Sequence, residues 1–354
     1  MSATRADRLL DPMRERELDA LLVTDLVNVR WLTGFTGTNG ACVLTRGERL
    51  FLTDFRYVEQ AAEQVEGFEI VRVGRDLLGE LAARLPRGRA GFDDEHVTVK
   101  AYEHLSQRAE TSVELVPAGG LVEQLREVKD ADEQQRIAAA TELATAAFER
   151  ILERGLAGRT ERAVALELEH EMRLAGAEDP SFPSIIAFGA HAALPHAEPR
   201  DVEIPTGVLV TIDWGARLDG YCSDCTRTLA TGEVGERERE VYELVLRAQE
   251  AALAVFEPGA ECAAVDGVAR TIIEEAGHGE RFGHGLGHGV GLEVHEGPRL
   301  AKSAEGSLRT GNVVTVEPGV YLPDELGIRI EDLVIVGGEG PQVLTHYPKT
   351  LTSV

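Results

Sequence analysis

Two stretches of this chain alternate like apolar β-hairpins yet place acidic residues where the pattern points inward. The first is VLVTIDWGARLDGYCSDCTRTLA, Val208 to Ala230, turning near Leu218-Asp219-Gly220. A turn centred on Leu218 and Asp219 sets Asp213 directly opposite Asp224. A turn centred on Asp219 and Gly220 makes them diagonal neighbours. Either register puts both carboxylates on one face, because side-chain direction repeats every second residue. Aspartate is a poor strand former, and facing carboxylates repel unless a cation lies between them. Taken alone, the segment is also compatible with two solvated charges on an edge strand.

The second stretch is TVEPGVYLPDELGIRIEDLVIV, Thr315 to Val336, turning at Pro323 to Gly327. Glu317 and Glu331 stand about equally far from that turn. Arg329 shares a face with Glu331. A simple Arg329–Glu331 ion pair would leave Glu317 unexplained, so the repeated design favours acids gathered around cations.

Histidines supply the other ligand type. FGHGLGHGVGLEVHEGP, Phe282 to Pro298, carries His284, His288 and His295 among glycines. His284 and His288 have the i, i+4 spacing of a helical zinc site, but Gly285 stands where the zincin glutamate belongs, and the glycines oppose a helix. The segment reads as a glycine-walled turn in which backbone approaches a ligand closely. A fourth segment, IIAFGAHAALPHAEP (Ile185 to Pro199), holds His191 and His196 in a loop.

The chain has 354 residues, 43% hydrophobic and 27% charged, with a net charge of -25 and a pI near 4.8. That is a globular composition long enough for two domains. The acidity argues against nucleic-acid partners. No run reaches the ~18 apolar residues of a membrane span. Met1 to Leu10 is charged and lacks a signal-peptide core, which points to the cytoplasm. The cysteines, Cys42, Cys222, Cys225 and Cys262, are too scattered for a disulfide scaffold. Cys222 and Cys225 are three apart in a strand and face opposite ways, which argues against a redox pair or zinc knuckle.

The first 120 residues alternate short strands (20–24, 41–45, 50–53, 69–73) with helical pattern, including a helix over 56–65. Pro117-Ala118-Gly119-Gly120 interrupts the pattern. Beyond it, Asp130 with Glu133 predicts a capping box opening a helix over 130–154. Further helices are predicted at 160–174, 236–256 and 264–276, with strands at 184–187 and 208–215.

At this point the chain resembles the pita-bread metallopeptidases, the group holding prolidase, Xaa-Pro aminopeptidase, methionine aminopeptidase and creatinase. The resemblance spans nearly the whole chain. It falls on Asp213 in IDWGA, Asp224 in YCSDCTRT, His288 in HGLGHGVG, Glu317 in TVEPGVY and Glu331 in GIRIED, in the family's order of metal ligands. WLTGFTGTNGACVL and LFLTDFRYVEQA are similar to the N-terminal domain of prolidases and Xaa-Pro aminopeptidases, which typical methionine aminopeptidases lack. Creatinase lacks the complete ligand set.

The resemblance implies a mixed α/β (α+β) protein. A small α/β N-terminal domain occupies 1–122, and a pita-bread domain, a curved antiparallel sheet covered by helices, occupies 123–354. It implies two divalent ions per subunit, with Mn favoured by the oxygen ligands and Co or Zn compatible. Asp224 and Glu331 bridge the ions, Asp213 serves one, and His288 and Glu317 serve the other. Glu317 is the proton-transfer partner. His196 and His295 face the reacting carbonyl, His284 shapes the proline pocket, and Arg329 steadies a carboxylate ligand or binds substrate. The implied activity is Xaa-Pro dipeptidase on short proline-containing peptides. Xaa-Pro aminopeptidase and a catalytically silent peptide-binding relative are the alternatives. A dipeptidase needs an arginine for the substrate carboxylate, with Arg46, Arg56 and Arg329 as candidates. A homodimer is implied as well.

Overall fold

A computed structural model describes residues 4–354; the first three residues of the charged N-terminal stretch lie outside it. The chain divides into two compact units, Met1–Arg126 and Glu127–Val354. The division falls after Arg126, not at 122. The short helix Leu121–Arg126 buries Leu121 and Val122, and Arg126 Nη1 donates to Asn28 Oδ1 (2.8 Å), so this helix belongs to the first unit.

The first unit is a mixed sheet of six strands: β1 (Ala20–Val23), β2 (Ala41–Thr45), β3 (Arg49–Thr53), β4 (Glu69–Arg72), β5 (Gly88–Phe92) and β6 (Val113–Pro117). Their order is β4-β3-β2-β1-β5-β6. β1–β2 and β2–β3 are antiparallel; the other neighbours are parallel. β1 is buried along its length, which is why ALLV is apolar without alternation. Helices α1 (Arg5–Glu15), α2 (Leu26–Thr33), α3 (Val58–Gln64), α4 (Leu77–Ala82), α5 (Val99–Arg108) and α6 (Leu121–Arg126) complete it. α3 starts later than the expected 56 because Asp54 forms a local turn, accepting from Arg56 N (2.9 Å) and from its guanidinium (2.7 Å).

The second unit opens with α7 (Ala131–Leu152) and α8 (Glu161–Leu174). The expected capping box is formed: Asp130 Oδ1 accepts from Glu133 N (3.0 Å) and Glu133 Oε2 from Asp130 N (2.9 Å). Thr160 caps α8 through Ala163 N (3.1 Å). Strands β7 (Asp179–Pro180) and β8 (Ile185–Phe188) follow, then the first acidic hairpin: β9 (Leu209–Trp214), β10 (Ala216–Leu218), β11 (Tyr221–Cys222) and β12 (Cys225–Ala230). Helices α9 (Glu236–Ala254) and α10 (Cys262–Glu275) precede β13 (Gly287–Gly289), β14 (Glu296–Leu300), β15 (Val313–Val316), β16 (Gly319–Leu322), β17 (Leu326–Arg329), β18 (Asp332–Gly337) and β19 (Gly340–Val343). The sheets run β12-β9-β8, β11-β10-β7, β14-β13-β15-β18-β19 and β16-β17.

Helices cover these sheets in two apolar layers. One joins α7 and α8 to β8, β9 and β12 around Phe148 and Trp214, whose rings stack at 3.8 Å while Trp214 Nε1 donates to Ala144 O (3.0 Å). The other joins α9 and α10 to β15 through β18. All four cysteines are buried free thiols. Among the described residues no helix is long and apolar enough to cross a membrane.

Candidate metal centre

The first hairpin adopts one register throughout: Leu218 pairs with Tyr221, Arg217 with Cys222, Trp214 with Cys225 and Asp213 with Thr226. The turn is therefore Asp219-Gly220, with Asp219 at φ 49° and Gly220 at φ 83°. Of the two registers left open by the sequence, this is the diagonal one. Asp213 and Asp224 share a face.

The second hairpin also keeps a single register, from Leu322–Leu326 to Gly319–Arg329 and on from Val316–Asp332 to Val313–Ile335. Glu317 and Glu331 are opposed positions in that register, but both sit where the ladder is interrupted. Their amides are spent elsewhere: Glu331 N donates to Thr226 O (3.1 Å) and Glu317 N to Leu286 O (2.8 Å). The first of these bonds ties the two hairpins together and brings their acids into one space.

Carboxylate oxygens of Asp213, Asp224 and Glu331 lie within 4.8 Å of one another. His288 joins them, with Nε2 3.2 Å from Glu317 Oε1 and 3.7 Å from Asp224 Oδ2. All five expected ligands thus converge, and Asp224 takes part in both groups.

His288 is on β13 rather than in a turn, and its glycines act differently from expectation. A Cβ on Gly287 would strike the Thr315 carbonyl, and one on Gly289 the Gly297 carbonyl. The glycines let β14 and β15 close on both flanks of His288; they do not wall a ligand. His288 Nδ1 faces Gly289 O (3.1 Å). A proton on Nδ1 leaves the Nε2 lone pair directed at the acids, the tautomer a ligand needs.

The electrostatics are severe. Asp213, Asp224 and Glu331 are 9%, 5% and 1% exposed. Burial, then repulsion from Glu331, Asp213 and Glu317, pushes the Asp224 pKa well above the carboxylate range. Burial, Glu317 and Asp213 do the same to Glu331. Burial raises Asp213 as well, although Arg329 opposes it. Burial also works against ionised Glu317, but its hydrogen bond and charge contact with His288 prevail and bring it to about 2. Asp213 Oδ1 and Glu331 Oε1 are buried with no hydrogen-bond partner. Such atoms are costly unless a cation meets them. Four carboxylates against one guanidinium leave an excess of negative charge. Oxygen donors with a single imidazole fit hard or borderline divalent ions.

Arg329 holds this arrangement and is itself spent. Its side chain is 5% exposed. Nη2 donates to Asp213 Oδ2 (2.6 Å), Nε to Thr226 Oγ1 (3.0 Å), and Nη1 to Tyr321 OH (2.8 Å) and Pro195 O (3.3 Å). Thr226 Oγ1 in turn donates to Glu331 Oε2 (2.7 Å). These bonds spend four of its five N–H donors on Thr226, Pro195, Tyr321 and Asp213. His284 is similarly engaged: Nδ1 lies 2.7 Å from Gly285 O and Nε2 2.8 Å from Tyr321 OH. Both ring nitrogens are thereby fixed, one of them on Tyr321. His295 is exposed, its ring 4.4 Å from that of His288. His196 is exposed too, and its charge is felt at His295, so both imidazoles border the same space.

Sequence reasoning missed Thr226, Thr315 and Tyr321. Thr315 Oγ1 donates to Glu317 Oε1 (3.0 Å) and accepts from His288 N (3.0 Å). Each stands an even number of residues along the chain from Asp224 or Glu317, a parity signal present in the sequence. In the first unit, Asp93, His96 and Glu123 form a second group of possible ligands, in which His96 Nδ1 already pairs with Asp93 Oδ2 (2.7 Å).

Known proteins resemble this chain along nearly its whole length. A curated relative, the uncharacterized peptidase YqhT of Bacillus subtilis (strain 168), is 40% identical over 350 residues, covering 98% of this chain and 99% of the relative. Among solved structures, the Xaa-Pro dipeptidase from Bacillus anthracis is 40% identical with a TM-score of 0.96, covering 99% of each chain. The X-Pro aminopeptidase from Thermotoga maritima MSB8 is 35% identical with a TM-score of 0.90, covering 99% of this chain and 100% of that one. Residues 5–128 match the Creatinase/Prolidase N-terminal domain, and residues 135–337 match Metallopeptidase family M24, the family to which this chain belongs.

Proposed function

We propose that the protein is an Xaa-Pro dipeptidase, hydrolysing the bond between an N-terminal residue and proline at a centre for two divalent ions. The observation carrying the metal chemistry is the pair of buried, unpartnered oxygens, Asp213 Oδ1 and Glu331 Oε1, among four converging carboxylates. The likeness to the Bacillus anthracis Xaa-Pro dipeptidase supports the proline-specific reading. Asp213, Asp224, His288, Glu317 and Glu331 would hold the two ions, supplying four carboxylates and one imidazole. Manganese is the metal best suited to this oxygen-rich set, with Co and Zn compatible. Bound there, the ions polarise the scissile carbonyl and make water acidic enough to attack at neutral pH.

The protein's own residues do the rest. Glu317 Oε1 accepts from Thr315 Oγ1, leaving Oε2 to accept the attacking water's proton. Burial and the neighbouring His288 lower the pKa of His295, so its neutral ring is available to hydrogen-bond the developing oxyanion or the leaving nitrogen together with His196. The bond before proline is a tertiary amide without N–H. A centre that acts on the carbonyl needs no donor from that nitrogen. For the carboxylate of a dipeptide, Arg329 is engaged and Arg56 is paired with Asp54. Arg299 is better placed to receive it. This side chain is exposed, lies opposite His288 in the β13–β14 register, and has no ion-pair partner among the described residues. The working protein is a cytoplasmic homodimer acting on short peptides.

Metal-stripped protein supplied with Mn, Co or Zn and offered Met-Pro, Met-Pro-Gly and Met-Ala-Gly tests this. Cleavage confined to Met-Pro supports the dipeptidase. Cleavage of Met-Pro-Gly supports the aminopeptidase reading, which the Thermotoga maritima neighbour favours. Preference for Met-Ala-Gly overturns proline specificity. Arg299→Met should raise KM for Met-Pro by about 10-fold or more and leave Met-Pro amide unaffected.

A further inference from the structure

The loop from Phe188 to Arg200 carries His196, yet it has little to hold it in place. Its apolar anchor is Ala187, Ala192 and Ala197 with part of Ile185. Alanines bury too little surface to fix a loop of this length. Hydrogen bonds fasten it instead, and most of them end on one carboxylate. Glu161, in the first turn of α8, is 0% exposed. It accepts from Phe188 N (3.3 Å) at one end of the loop, and from Arg200 N (2.9 Å), Nε (3.0 Å) and Nη2 (3.0 Å) at the other. His191 Nδ1 adds a bond from the middle (3.1 Å). The clamped loop then meets the metal centre. A Cβ on Gly327 would collide with the Ala192 carbonyl, so β17 lies directly on the loop. Pro195 O accepts from Arg329, whose other nitrogen holds Asp213.

We infer that Glu161 is a positioning residue of the active site: by closing the 188–200 loop on one buried carboxylate, it sets where His196 stands and where the Pro195 carbonyl meets Arg329. The inference rests on the proposed function for its account of His196. The bonds of Glu161 go to the loop and to no ligand residue, and the metal set is complete without it. Its loss should therefore change loop order and turnover while sparing metal affinity.

Glu161→Gln keeps the shape but turns an acceptor towards donors as an amide. Hydrogen exchange of amides within 188–200 in the metal-free protein should rise about 10-fold or more, with β9, β12 and β18 unchanged. Manganese affinity by titration calorimetry should stay within about twofold, since no ligand is touched. On Met-Pro, kcat should fall about 10- to 100-fold with a smaller change in KM. The double variant Glu161→Gln/His196→Ala should lose less than the product of the two single losses, because the first residue acts in part through the second. Additive losses, or unchanged exchange in the loop, overturn the inference. Should Glu161→Gln fail to fold, Arg200→Met, at a side chain 43% exposed, removes the same clamp from outside and is read by the same exchange and cycle. Exchange needs no substrate, so failure of the Xaa-Pro reading is told apart from failure of this one.

Discussion

Replacing Arg329 by methionine should destabilise the metal-free protein strongly, the metal-loaded protein weakly, and tighten metal binding. Among the described residues, Arg329 is the guanidinium bonded to the acid cluster, at 2.6 Å from Asp213 and 5% exposed. Removing one partner of a buried pair costs about 3–5 kcal/mol, because the other charge is left behind. Asp213 can escape only by taking a proton. Its pKa is already raised by burial, so the penalty should lie at the lower end and shrink as the pH falls. With divalent ions bound, Asp213 keeps a counter-charge. What remains is the loss of hydrogen bonds to Thr226, Tyr321 and Pro195, about 1–2 kcal/mol net.

The difference, about 2 kcal/mol, must reappear in metal affinity, because folding and binding form a closed cycle. Arg329→Met should then bind manganese about 30-fold more tightly while turning over more slowly. Urea unfolding with and without manganese measures the two stabilities, and titration calorimetry measures the affinity. Weaker binding in the variant would refute the reasoning. It would mean that Arg329 matters to the ions by fixing Asp213 in place, more than by repelling them.

Manganese binding should release protons, since burial and mutual repulsion raise the pKa of Asp224 and Glu331 in the metal-free protein and bound cations reverse that shift; calorimetry in buffers of different ionisation enthalpy reads the number, and zero refutes it. The sign for stability follows: these raised groups bind more protons folded than unfolded, so their contribution makes metal-free stability fall as pH rises above the unfolded carboxylate range, and bound metal removes that fall. Asp224→Asn should abolish turnover and the metal-dependent rise in Tm, yet stabilise the metal-free protein by about 1–2 kcal/mol, by removing a carboxyl that burial and its neighbours keep from ionising as it does in the unfolded chain. A metal-free variant less stable than the parent would show that Asp224 is satisfied without a cation.

Much of the fold and the site is legible in the sequence because parity and spacing survive folding. The capping box at Asp130 and Glu133 forms as expected, since it depends on four consecutive residues and nothing distant. The shared face of Asp213 and Asp224 follows from period two alone. The register does not, because a two-residue shift in pairing leaves parity untouched; it is decided by Asp219 and Gly220 both adopting positive φ. The glycines around His288 suggest a turn because they oppose regular structure locally. Their use is tertiary: Thr315 and Gly297 carbonyls pack where side chains would be. Arg329 can be placed on the acids' face from spacing, but which donors it has to spare depends on Tyr321 and Pro195, which only the folded chain brings into reach.

Three of the clustered acids occupy interruptions in otherwise regular ladders: Asp224 between β11 and β12, Glu317 between β15 and β16, and Glu331 between β17 and β18. An unbroken strand would direct each carboxylate perpendicular to its own sheet. At a break, the backbone amide is released to bond a neighbouring element, as Glu331 N does to Thr226 O and Glu317 N to Leu286 O. The ladders on either side hold the residue's position along the strand. Register is preserved across the interruptions in each hairpin, so the acids leave the ladder without losing placement. The same construction explains why mutually repelling groups can be confined here. The hydrogen bonds flanking each break, not attraction among the acids, fix the cluster, and the fold therefore exists with a charge deficit ready for cations.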